Sequence, residues 1–204
     1  MVSRMESAAV TRRGLLDAAA ELLDLGGPDA VTLREVGARA GVTRGAPYRH
    51  FADKDSLLTA VATEGWERVG HRVHALRADP ALSASEKLRG ALGAITGLGR
   101  DQPRLHQLMC SAPAGDPAAA VRAAGRYRDE FLGIVTSIVG EQNAGHYGAL
   151  LLASAYGITD MELSGHLAAE TWHTTANELL DTLVSTVTDA GATTQRRPAP
   201  FDRH

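Results

Sequence analysis

The chain has 204 residues, of which 44% are hydrophobic, 22% charged and 4% aromatic, and its net charge is −3. That composition is ordinary for a globular protein, rests the core on Ala, Leu and Val, and excludes a uniformly basic, histone-like coat. The single cysteine, Cys110, excludes an internal disulfide and a cysteine-based zinc site, which fits a reducing, cytoplasmic setting. No apolar run approaches the ~18 residues of a membrane span, and Met1–Val10 lacks the apolar stretch of a signal peptide.

Apolar residues recur at helical spacing along the chain, and no stretch alternates long enough to make a strand. A first helix is predicted over Thr11–Leu25, with Leu15, Ala19, Leu22 and Leu23 on one face and Gly26-Gly27-Pro28 as its stop. Thr32 and Glu35 have capping-box spacing, each able to satisfy the other's free amide, and Val31 and Val36 stand where a hydrophobic staple would join them. This second helix is short, ending near Ala40 with Gly41 as its stop. Thr43 is placed to cap a third helix that reaches about Phe51. Asp53 is placed to cap a long fourth helix reaching Arg77, striped with Leu58, Ala62, Gly65, Val69, Val73 and Leu76.

The remainder is helical too. Ser83 and Glu86 form a second capping box, opening a helix that carries Leu88, Leu92, Ile95 and Gly99. Pro103 begins a short helix with Leu105, Leu108 and Met109. A loop from Ser111 to Asp116 follows, and Asp116-Pro117 reads as a cap with proline at the first helical position. The next helix, to about Val139, has Val121, Ala124, Phe131, Val135 and Ile138 on one face. Gly140–Gly145 separates it from a helix over Tyr147–Leu163. A last helix carries Trp172, Ala176, Leu179, Leu183, Val187 and Ala190. The segment from Gly191, with Arg196, Arg197, Pro198 and Pro200, reads as a disordered tail in which a solvated Arg196-Arg197 pair is the default. The sum is an all-α fold of about nine helices. It divides into an N-terminal three-helix helix-turn-helix domain (1–55), joined by the long fourth helix to a helical domain (56–190), and a tail (191–204).

The informative stretch is Thr32–Lys54. Two short helices joined by about four residues, with Gly41 in the turn, describe a helix-turn-helix. Residues 34–54 carry Arg34, Arg39, Arg44, Arg49 and Lys54 against Glu35 and Asp53, a local charge of +3, whereas residues 1–55 balance at 8 basic and 8 acidic. Positive charge is focused there, as a nucleic-acid contact requires. The third helix presents Thr43, Arg44, Tyr48, Arg49 and His50, whose hydroxyls and cationic groups are those that hold phosphates. Arg44 has the two-pronged guanidinium that reads guanine. On periodicity and charge alone, a basic helix pair that meets no nucleic acid stays equally open.

From Leu15 to Leu58 the sequence combines a first helix of LLDAAAELL type with VTLREVGARAGVTRGAPYRHFADKDSLL: a capped second helix, AGVTRGA in the turn, Y-x-H-F closing the third helix, and a D-K pair opening the fourth. This combination resembles the N-terminal domain of the TetR family of transcriptional regulators. The resemblance implies that Thr32 contacts phosphate, that Thr43, Arg44, Gly45 and Ala46 meet base edges, that Tyr48 and His50 contact the DNA backbone, and that Lys54 binds phosphate. Phe51 reads as core. Pro47 is awkward, because proline disfavours helical geometry in the residue before it. Either the first turn of the third helix is irregular or the helix starts nearer Ala46.

LGRDQPRLHQLMCS and YGITDMELSGH resemble segments of one branch of the family's ligand domains. The resemblance therefore implies a homodimer on a double-stranded, palindromic DNA operator and a small-molecule pocket; no cofactor is expected, and the apolar character of the pocket candidates suggests a hydrophobic or aromatic effector. Pocket candidates are Trp66, Leu105, His106, Met109, Cys110, Tyr127, Phe131 and Tyr156, all of which also suit an ordinary core, with Cys110 read as a small buried residue. Two competing readings are a helical protein-interaction module and a metal-binding or catalytic protein with an incidental helix-turn-helix. For the latter, His71 and His74 are too few ligands, and Glu162, His166, Glu170 and His173 contain only one Glu-x-x-His pair. No nucleophile motif is present.

Overall fold

The computed structural model describes residues 4–111 and 116–196. Among the described residues the chain forms ten α-helices and one 3-10 turn, with no strand: α1 (Arg4–Gly26), the turn Pro28–Ala30, α2 (Leu33–Arg39), α3 (Ala46–His50), α4 (Lys54–Ala78), α5 (Ala84–Asp101), α6 (Pro103–Cys110), α7 (Pro117–Val139), α8 (Glu141–Leu163), α9 (Ala169–Trp172) and α10 (Ala176–Arg196). None of these helices is long and apolar enough to cross a membrane. Contacts group the chain into two compact units. One is the chain up to Arg68 with Asp101–Gly125; the other is Val69–Arg100 with the chain from Arg126.

In the first unit α1 starts at Arg4, seven residues before the predicted start at Thr11. Residues 6–10 are exposed, so no buried face announces this turn; Thr11 donates its hydroxyl to the Ser7 carbonyl at 2.9 Å. Leu15, Leu16, Ala19 and Leu23 are buried. Gly27, at φ 73°, takes the left-handed conformation that stops α1, its amide bonding Leu23 O at 2.8 Å. α1 packs on α2, α3 and α6. Gln102, just before α6, donates to Asp24 of α1 at 3.4 Å. The residues ahead of and within α6 are thereby joined to the N-terminal helices.

In the second unit the Ser83–Glu86 box forms in both directions. Ser83 N donates to Glu86 Oε2 at 2.7 Å and Glu86 N to Ser83 Oγ at 3.3 Å; the Ser83 hydroxyl also donates to Glu86 Oε2, and that bond, with the one from Ser83 N, holds the Glu86 carboxyl below the ordinary carboxylate range. α5 buries Leu88, Leu92, Ile95 and Gly99 as expected. Its polar face is tied down by Arg100, which bonds Glu162 of α8 at 2.7 Å and Asn177 of α10 at 3.1 Å, and by the Arg89–Asp181 pair. α7 departs from expectation in its first turns. Val121 is 65% exposed and Ala124 half-buried, while Ala120, Ala123 and Tyr127 turn inward. Both stripes have helical spacing, and the large Tyr127 side chain lies on the buried one.

Three further boundaries differ from the sequence reading. Gly140, at φ 79°, breaks the chain alone, and α8 begins at Glu141. Trp172 belongs to the separate four-residue α9 and is 56% exposed; His173, at φ 50°, then turns the chain before α10. The start of α10 is another capping box, Thr175-x-x-Glu178. Thr175 N donates to Glu178 Oε2 at 2.8 Å and Glu178 N to Thr175 Oγ1 at 3.3 Å, and the buried stripe is Ala176, Leu180, Val184, Val187 and Gly191. Finally, residues 191–196, expected in a disordered tail, are the last turns of α10, because Gly191 packs on the end of α7. Residues 197–204, with Arg197, lie outside the described residues.

The Thr175 cap carries a prediction. Thr175→Ala should cost about 1 kcal/mol, measured by thermal unfolding. The Thr175 bonds lower the Glu178 pKa, so the Glu178 contribution is complete above that group's unfolded pKa. It is lost as pH falls through the depressed folded value. Glu178→Gln should therefore flatten part of the acid limb of a stability-versus-pH curve.

Candidate nucleic-acid interface

α2 and α3 pack on one another. Thr32 is the N-cap of α2, its hydroxyl accepting from Glu35 N at 3.1 Å, and Val31 and Val36 on either side are fully buried. Only this half of the expected reciprocal box is present. The Glu35 carboxylate turns instead to Arg34 Nη2, at 2.8 Å. The two ions form a charge-assisted bond, and the hydrogen bond to Glu35 raises the Arg34 pKa. At the other end Val42 N bonds Gly37 O and Gly41 N bonds Ala38 O, at 3.1 and 3.2 Å, with Gly41 at φ 67°. This is a Schellman turn, and it directs the chain into α3.

Thr43 is not the cap of α3. Its carbonyl accepts from Ala46 N at 2.8 Å, closing a turn, and α3 begins at Ala46 with Gly45 as N-cap and Pro47 in the first turn. The later of the two starts allowed by Pro47 is the one adopted. There the missing proline amide deprives no carbonyl of its partner, because first-turn amides have no intrahelical acceptor. The Pro47 ring is buried against Gly37: a Cβ at 37 would stand 2.7 Å from Pro47 Cγ.

Thr32, Thr43, Arg44, Gly45 and Arg49 are exposed, as is Tyr48 at 58%, while His50 and Lys54 are half-buried. Ala46 is a correction. With α3 starting there, its methyl points inward and is 3% exposed, leaving little to offer a base edge. Phe51 is core, 4% exposed, with the Arg12 guanidinium 5.4 Å from its ring centre. Ser56 N donates to Asp53 Oδ1 at 2.7 Å and Asp53 N to Ser56 Oγ at 3.2 Å, so Asp53 caps α4 and Lys54 is its first residue. Among the described residues no carboxylate pairs with Arg44 or Arg49. Arg39 is held by Glu21 at 2.5 Å and Lys54 faces Asp29 at 3.9 Å.

The pocket candidates fall into two sets. In the first unit Trp66, Leu105, His106 and Met109 are buried, and Gly65 lies against Met109, whose sulfur would be 2.5 Å from a Cβ there. Cys110, expected to be buried, is exposed as a residue because it ends α6. Its sulfur is partly enclosed 3.9 Å from His106 Nε2, and that burial pushes the thiol pKa up, away from thiolate chemistry. In the second unit Tyr127 and Phe131 are buried with ring centres 6.2 Å apart, and Tyr156 is half-buried. Sequence reasoning missed an open cleft of about 370 Å³ in the first unit, lined by Arg12, His50, Phe51, Ser56, Glu64 and Glu67 among others. None of the eight candidates lines it.

Three of the six residues weighed for metal, His74, Glu162 and His166, are engaged otherwise. His74 Nδ1 meets Glu130 at 3.0 Å, and Arg77 bonds the same carboxylate at 3.1 Å. Burial alone would raise the Glu130 pKa, but the two bonds outweigh it and the net shift is downward. Glu162 bonds Arg100, and His166 Nδ1 meets Ser164 Oγ at 2.7 Å.

A capped second helix, a glycine turn and a short third helix that leaves its guanidinium groups open define a helix-turn-helix DNA-binding protein. Residues 15–61 match the family model for bacterial regulatory proteins of the TetR family. The chain is 29% identical over 191 residues to the HTH-type transcriptional repressor KstR of Rhodococcus jostii, an alignment covering 92% of this chain and 85% of the relative. Its fold matches a solved protein of unknown function from Rhodococcus sp. RHA1, with a TM-score of 0.74 and 24% identity over 88% of this chain and 94% of the other. A TetR-family transcriptional regulator from Streptomyces coelicolor matches with a TM-score of 0.63 and 24% identity, over 88% and 98%. Residues 15–61 thus carry a TetR-family helix-turn-helix domain, and the chain is a DNA-binding transcriptional regulator.

Proposed function

We propose that the protein is a cytoplasmic, ligand-responsive repressor that binds a palindromic operator as a homodimer and is released by a small hydrophobic effector. The observation that carries the DNA-contact assignment is the open pair Arg44 and Arg49 beside exposed Thr43, Gly45 and Tyr48. In this reading Arg44 reads a base, Thr43 and Gly45 allow close approach, and Thr32, Tyr48, His50 and Lys54 hold the DNA backbone. Residues 1–55 are the DNA-binding domain and 56–190 the regulatory one. KstR, similar over most of both chains, is a repressor, which supports repression here. Half-exposed Leu179 and Leu183 on α10 and 48%-exposed Leu150 on α8, two helices that pack together, suit pairing with a second copy. A twofold dimer sets its reading helices about 34–36 Å apart. The apolar character of Trp66, Leu105, Met109, Tyr127, Phe131 and Tyr156 supports a hydrophobic effector. Effector and operator then weaken each other's binding by the same factor.

A titration against upstream DNA over a salt series tests this reading. Arg44→Ala should cost about 1–3 kcal/mol at a single base position, whereas Lys54→Ala should weaken all sequences alike and lower the salt slope by about one. Uniform loss over every base on Arg44→Ala would remove its base-reading role.

A further inference from the structure

We propose that Asp29 and Glu35 are specificity-setting residues, each holding a cation of the DNA-facing surface as an internal ion pair so that the protein gives up a carboxylate to gain a phosphate. The inference rests on the contact assignment proposed above and deepens it.

The cations of residues 34–54 fall into two groups. Arg44 and Arg49 have no carboxylate partner among the described residues. Arg34 is bonded by Glu35 at 2.8 Å, two residues from Thr32, Arg39 by Glu21 of α1 at 2.5 Å, and Lys54 Nζ stands 3.9 Å from Asp29 Oδ1. Asp29 is fully exposed, in the 3-10 turn, and pairs with no other cation among the described residues. The position of Glu35 is a separate observation. Of the three threonine or serine boxes, those of Ser83–Glu86 and Thr175–Glu178 close through the glutamate, whereas Glu35 leaves its box open and turns to Arg34. Both acids therefore stand beside cations of the second and fourth helix starts, and neither is committed to a backbone amide.

A phosphate that reaches Arg34 or Lys54 arrives where a negative charge already stands. The carboxylate stays on its own chain nearby, so each contact attracts less than a free cation would. A duplex of arbitrary sequence has only phosphates to offer and bears this cost in full. An operator adds base contacts, which the acids do not touch. The two carboxylates thus lower indiscriminate binding more than selective binding, and specificity is that difference.

The test is fluorescence anisotropy on the full chain over a salt series, with a mixed-sequence duplex and with the operator selected from upstream DNA. Asp29→Asn and Glu35→Gln should each tighten the mixed-sequence duplex about two- to fivefold, steepen its salt slope by up to about one, and narrow the ratio between the two duplexes. Asp17→Asn, which removes the same charge from a pair with Arg13 on α1, should change neither. Unaltered affinity and slope in both variants would overturn the proposal while leaving the contact assignment intact. So would equal tightening by Asp17→Asn, because net charge alone would then account for it. A parent protein that binds neither duplex would remove the contact assignment itself.

Discussion

Replacing Gly191 with alanine should destabilise the protein by about 2–3 kcal/mol, in the upper part of the range for overpacking. A Cβ there would fall well inside van der Waals contact of the Ile138 carbonyl oxygen and 3.0 Å from its carbonyl carbon. Those are backbone atoms near the end of α7 and cannot rotate aside, so α10 would have to lift. At a solvated helix end the same change should stabilise, since alanine exceeds glycine in helix propensity by about 1 kcal/mol. The sign of the effect separates the two situations. Thermal unfolding should show a drop in Tm of roughly 4–12 °C for a chain of this size, and an unchanged or higher Tm would mean that the last turns of α10 do not bear on α7.

Gly37→Ala should be the second costly change, by about 1–3 kcal/mol, and it should also weaken operator binding. Its Cβ would lie 2.7 Å from Pro47 Cγ and 3.4 Å from Cδ. The proline ring can yield only by repuckering, which moves Cγ but leaves Cδ in place, so α3 must shift away from α2, carrying Tyr48 and Arg49 and disturbing Arg44 just ahead of it. Pro47→Ala in the same chain removes the obstructing ring. The double variant should therefore be more stable than the sum of the single changes implies, the signature of a direct contact. Unfolding of the four proteins and anisotropy against one operator measure both effects. Simple additivity would mean that glycine and proline do not share this space.

Elements with local chemistry were legible in the sequence. Thr32, Ser83 and Asp116-Pro117 open helices where their spacing says, and Gly27 and Gly41 turn the chain where glycine alone is unstrained. Thr175-x-x-Glu178 carries the same signal, but an apolar stripe at helical spacing runs on through Trp172 and masks it. What local chemistry cannot give is which of two overlapping stripes faces inward. On α7 the Val121 and Ala120 registers are both helical, and the choice depends on packing around Tyr127. The early turn of α1 is exposed all round and had no stripe to betray it, and Gly191 reads as a chain end until its neighbour on α7 is known. At the candidate interface the residue types were legible but their pairing was not. Asp29 and Glu21 meet Lys54 and Arg39 across 25 and 18 positions, a relation no spacing rule encodes.

Pro47 has a consequence for how the reading helix meets DNA. Five residues are too few to hold a helix by themselves, because nucleation fixes several dihedrals for a single hydrogen bond. A proline in the first turn has its φ already set, so the disordered chain loses less freedom when this turn forms. Part of the ordering entropy that a short reading helix would otherwise surrender on meeting its operator is thus settled when the polypeptide folds, and association can draw on a surface that is stiff beforehand.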